Sequence, residues 1–101
     1  MSDFYYKVYK RDHGCLIAVC DKDICGKVLK TADVDVNINP RFYKDKEGNE
    51  DRVAAVLNAA FAANFFGEKS VKLAIKLGLV DKSNVKIIDG VPHAHMIHMT
   101  I

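Results

Sequence analysis

Apolar and polar residues alternate from Phe4 to Lys10: Phe4, Tyr6 and Val8 fall on one side of an extended chain, Tyr5, Lys7 and Tyr9 on the other. The run is rich in aromatic and β-branched residues, which predicts a strand. Cys15 to Cys20 is apolar at every position, as an inner strand covered on both faces would be. The polar segment Arg11-Asp12-His13-Gly14 between them predicts a hairpin. Asp21-Lys22-Asp23 then starts a short turn or helix that ends at Gly26. Val34, Val36 and Ile38 alternate with Asp35 and Asn37 and predict a third, half-exposed strand, stopped by Pro40. Residues 39–50 are mostly charged and read as a loop.

Asn49 is a good helix N-cap, followed by Glu50 and Asp51 where the helix dipole favours acids. Val53, Val56, Leu57, Ala60, Phe61, Asn64 and Phe65 then fit a helical period, so one long helix is expected up to Gly67. A second helix is expected from about Glu68 to Leu77, with Val71, Ala74 and Ile75 inward, closed by Gly78. Val85, Ile87 and Ile88 predict a strand. Asp89-Gly90 is a turn dipeptide, and Val91 to Met99 reads as a last strand. Runs of strands separated from a run of helices argue an α+β fold: a mostly antiparallel sheet of about five strands with a helical pair on one face.

Length and charge sharpen this picture only slightly. The 101 residues suffice for a single domain over residues 1–101. Half of them are apolar, too many for a disordered chain. No apolar run is long enough to span a membrane, and no leader peptide is evident, so a cytoplasmic protein is expected. The net charge of +2 comes from 15 basic and 13 acidic residues, so charge distribution matters more than the sum. Cys15, Cys20 and Cys25 match neither a disulfide framework nor zinc-ligand spacing and read as free thiols.

Candidate chemistry is sparse. His93, His95 and His98 lie close in sequence, but in a strand His93 and His95 share a face that His98 opposes, so no metal site is expected. Asn64 interrupts an apolar stripe, and His93 follows Pro92. With Asp21 they form a candidate pocket for a small enzyme or ligand-binding protein. Lys69, Lys72 and Lys76 share one face of the second expected helix. With Lys27 and other basic residues they offer a surface for phosphates. Tyr5, Tyr9, Phe42 and Tyr43 supply rings on which unpaired bases could stack. No phosphate-cradling glycine loop and no nucleophile elbow occurs, so no cofactor is expected and the reading leans away from an enzyme. A last strand from Val91 to Ile101 at a sheet edge would allow pairing into a homodimer.

Three segments together resemble an archaeal family, the domain-of-unknown-function family 424. They are Val19-Cys20-Asp21 with Gly26-Lys27; Asn64 with Gly67-Glu68, Ser70-Val71 and Gly78-Leu79-Val80-Asp81; and Gly90-Val91-Pro92-His93-Ala94. The resemblance runs from about Phe4 to Met96, and its last segment is the most specific. His95 stands where the family usually has an amide, and the Phe42-Tyr43 loop is longer and more charged than the family pattern. The resemblance implies an archaeal, cytoplasmic protein with no established activity, associated with the translation apparatus. It carries over Asp21, Gly26, Lys27, Asn64, Gly67, Glu68, Ser70, Gly90, Pro92 and His93. The expectation is an RNA- or ribonucleoprotein-binding accessory factor.

Overall fold

The computed structural model describes residues 2–12 and 14–98. The chain order is β1 (Phe4–Arg11), β2 (Gly14–Asp21), β3 (Val28–Lys30), β4 (Asp35–Asn37), α1 (Pro40–Tyr43), β5 (Lys46–Gly48), α2 (Glu50–Leu57), β6 (Ala60–Phe66), α3 (Glu68–Lys76), β7 (Lys86–Ile88) and β8 (Val91–Ile97). Short 3-10 turns occupy Lys22–Ile24 and Lys82–Asn84. The main sheet has six strands in the order β5-β1-β2-β6-β8-β7, and β3 and β4 form a separate antiparallel pair. Among the described residues, only β2 and β6 run parallel. The α+β class is as expected; the strand count is higher than about five, and the smaller sheet was not foreseen. None of the described helices is long and apolar enough to cross a membrane.

Strand alternation sorts the side chains between two cores. Phe4, Tyr6, Ile17, Val19, Ala63, Phe65 and Ala94 meet Val53 and Leu57 of α2 and Val71, Leu73 and Ala74 of α3. The two helices thus share one face. Ala18, Cys20 and Phe66 point the other way, against Leu29 of β3, Ile38 and Tyr43 of α1. The opposite face is therefore also covered. Asn39 makes this second layer possible: its side chain accepts from the Arg41 amide and Pro40 fills the first helical position, so the expected loop contains a helical turn.

The largest correction concerns residues 58–66. The helix capped by Asn49 ends at Leu57, and Ala60–Phe66 is an inner strand between β2 and β8. Every residue from Ala59 to Phe66 except Asn64 is apolar. Such a run satisfies a period of two as well as one of 3.6, and only burial on both faces decides between them. The last strand also sits differently. β7 pairs with Val91–His93 of β8 and is the outer strand there, while Ala94–Ile97 pairs with β6 and has no β7 partner among the described residues. Met99 to Ile101 and His13 lie outside the described residues. The Asp89-Gly90 turn is as expected, with φ of 48° and 80°, the left-handed pair that suits a two-residue hairpin.

Candidate functional site

Because β6 is a strand, Asn64 points away from α2 and α3. Its Oδ1 accepts hydrogen bonds from the Tyr43 hydroxyl at 2.8 Å and from His93 Nε2 at 3.1 Å. With a carbonyl oxygen opposite, Nε2 carries the proton, and neutral imidazole keeps Nδ1 as a free acceptor. Burial lowers the His93 pKa, and the nearby His95 and Lys86 charges lower it further. Burial raises the Tyr43 pKa, so the phenol keeps its proton. The His93 ring packs on Phe66, with centroids 4.6 Å apart. Two members of the expected pocket therefore touch.

Asp21 is elsewhere. At the end of β2 it turns toward α3, where its carboxylate accepts from the Lys69 amide at 2.9 Å and from the Ser70 amide and hydroxyl at 2.8 and 2.7 Å. It holds the start of α3 in place of a local cap, since Gly67 has no side chain to offer. Gly67 itself has φ +112°, and a Cβ there would stand 2.4 Å from Asp21 Cγ. Asp21 is thus tied into the helix face, while Asn64 and His93 line the other.

The expected lysine stripe is partly neutralised. Lys69 Nζ lies 3.4 Å from Asp3, and Lys76 Nζ lies 2.5 Å from Glu50. Lys72 forms no ion pair among the described residues. Lys27 is not part of this surface: it leads into β3, whose Leu29 packs on the opposite face of the sheet.

A different basic surface forms along β1. The β5 strand pairs only with Phe4, Tyr5 and Tyr6. Beyond it, Tyr9 stacks on Phe42 with centroids 5.3 Å apart and donates its hydroxyl to the Phe42 carbonyl. Lys7 Nζ and Arg11 Cζ lie 5.3 and 5.6 Å from the Tyr9 centroid. Lys22 and Lys44 approach the Tyr5 ring at 5.3 and 5.2 Å. Glu47 pairs with Lys22, whereas Lys7, Arg11 and Lys44 have no acidic partner among the described residues. Rings held beside cations suit both the phosphates and the bases of a single strand. The clue in sequence is the period of two: Tyr5, Lys7, Tyr9 and Arg11 share one side of β1. Tyr43, expected as a stacking ring, is buried instead.

Among the described residues no group of three His, Cys, Asp or Glu side chains is placed to hold a metal ion. The three cysteines are free; Cys20 is fully buried, and burial pushes its thiol pKa up.

A family model described as "Protein of unknown function (DUF424)" matches residues 9–99. No curated protein matches the sequence. Among solved structures, the fold is similar to that of an uncharacterized conserved protein from Methanopyrus kandleri, at 21% identity and a TM-score of 0.78, covering 97% of this chain and 95% of that one. At that identity the likeness concerns the fold alone.

Proposed function

This chain belongs to the DUF424 family, and we propose that it is an RNA- or ribonucleoprotein-binding accessory factor that contacts RNA through the β1 surface. The observation that carries the reading is the placement of Lys7, Arg11 and Lys44 over the rings of Tyr9 and Tyr5, with Phe42 stacked beside them. Lysine and arginine contact phosphates and release counterions, and the rings offer stacking faces that tolerate any base. Lys72, Lys69 and Lys76 supply a secondary patch on α3, weakened by Asp3 and Glu50. The reading brings with it a cytoplasmic location and, through the archaeal structural relative, an archaeal source.

Transfer and ribosomal RNA are the first probes, in line with the translation association that the family resemblance implies. Fluorescence anisotropy should show binding at about 50 mM salt that weakens by an order of magnitude or more at about 200 mM. Lys7→Glu/Arg11→Glu/Lys44→Glu should weaken it more than Lys69→Glu/Lys72→Glu/Lys76→Glu. Absent or salt-independent binding would sink the proposal.

A second reading, a small enzyme or ligand-binding protein with a pocket around His93 and Asn64, draws on their 3.1 Å hydrogen bond and the free Nδ1 of a neutral His93. It predicts that a small-molecule library will contain compounds that shift the His93 ring resonances in the wild type and lose affinity in Asn64→Ala. A screen in which no compound moves those resonances would remove it.

A further inference from the structure

The end of the sheet farthest from β1 has a different character. β7 is its outer strand and, among the described residues, pairs with β8 on one side only. Ile87, at its centre, is 64% exposed, and Ile75 on the adjacent helix is 37% exposed. Between them runs an open groove of about 360 Å³ whose floor is Val71, Ile75, Val85, Ile87 and Pro92. Lys72 and Lys82 stand on its rim, with Glu68 as its one acid. Neither lysine is engaged in an ion pair among the described residues.

We propose that this edge and groove bind an extended protein segment in which apolar and acidic residues alternate, added as a further strand beside β7. An outer strand leaves backbone donors and acceptors unpaired, and an incoming strand satisfies them. Side chains of a strand alternate between faces. Those turned toward α3 would enter the apolar groove beside Ile87. Those turned the other way would meet Lys86, which lies across from His93 on the opposite face of the sheet. Acids suit that face and the Lys72 and Lys82 rim.

Charge also decides against a second copy of this chain as the occupant. Two β7 strands joined about a two-fold axis would bring Lys82, Lys86 and Lys72 of both copies together, and lysine on an edge strand opposes that pairing. An acidic partner turns the same residues from a guard into a recognition element.

The test is selection from a displayed library of random peptides of about six residues, the length of an ordinary strand, on the full chain. Enriched sequences should alternate acidic and apolar residues, shift the amide resonances of β7 and α3, and bind Ile87→Lys at least about tenfold more weakly. Ile87 is exposed, so this variant should fold; Lys72→Glu/Lys82→Glu, altered only at the rim, should shift the selected sequences away from acids. Enriched peptides that bind Ile87→Lys unchanged, or whose shifts map elsewhere, would overturn the proposal. So would an RNA pool that moves the β7 amides, or dimerisation of the wild type that Ile87→Lys abolishes, since either gives the groove another occupant.

Discussion

Asp21 shows how a single carboxylate can serve an element far from it in sequence. It accepts three hydrogen bonds at the start of α3, two from amides that no residue of α3 itself could satisfy. Asp21→Ala should cost about 2–3 kcal/mol, read as a lower urea midpoint. Gly67→Ala should also destabilise, because its Cβ meets the same carboxylate in a backbone conformation that disfavours alanine. The costs should fall short of additive in the double variant, since removing Asp21 removes the clash. His93 gives a pH-dependent prediction. Its folded pKa lies below its ordinary value of about 6.5, so the unfolded chain binds the proton more readily. Its contribution is full above that ordinary value and is lost as pH falls through the lower, folded one. Urea midpoints measured across that range should fall less steeply for His93→Gln than for the wild type.

Among the elements, β6 joins the two cores. Phe65 enters the helix-side core and Phe66 the opposite one. Phe65→Ala should cost about 3–5 kcal/mol, as expected for a large aromatic removed from a fully buried site. Asn64→Ala leaves the Tyr43 hydroxyl and His93 without their shared acceptor and should cost about 1–3 kcal/mol. Tyr43→Phe removes one donor but leaves Asn64 bonded to His93, and should cost less. Chemical denaturation of the three variants gives the ranking. The bond from the Lys30 amide to Asp89 extends the same principle, fastening the small sheet to the β7–β8 hairpin.

At the scale of the whole molecule, the two proposed contacts lie at opposite ends of one sheet. The β5–β1 end carries Tyr5, Tyr9, Lys7, Arg11 and Lys44, and the β7 end carries Ile87 and its apolar groove. Four strands separate β5 from β7. An accessory factor of this form would join an RNA to a protein segment without either displacing the other. RNA affinity measured with and without a selected groove peptide should differ by less than about twofold, because the β1 surface and the groove share no residue, and Lys72 on the groove rim belongs only to the weaker α3 patch.

Strand alternation along β1, the doubly apolar β2, the Asn49 cap and the Asp89-Gly90 turn were all legible locally, because each rests on neighbours within a few residues. So were Asn64 and His93 as polar residues set among apolar ones, though their contact was not. Neither was Gly67, since a glycine suits the end of a helix as well as the turn from β6 into α3. Two kinds of information were missing from the chain alone. Ala60–Phe66 has no local preference strong enough to separate a strand from a helix; burial between β2 and β8 made the choice, and with it turned Asn64 toward Tyr43. The partners of charged groups were equally hidden, since Lys76 meets Glu50 and Asp21 meets Ser70 across long stretches of sequence. Periodicity by itself determined most of the elements and the α+β class. Only tertiary packing decided which face each side chain joined and which charges stayed free, because burial and long-range pairing are properties of the assembled sheet.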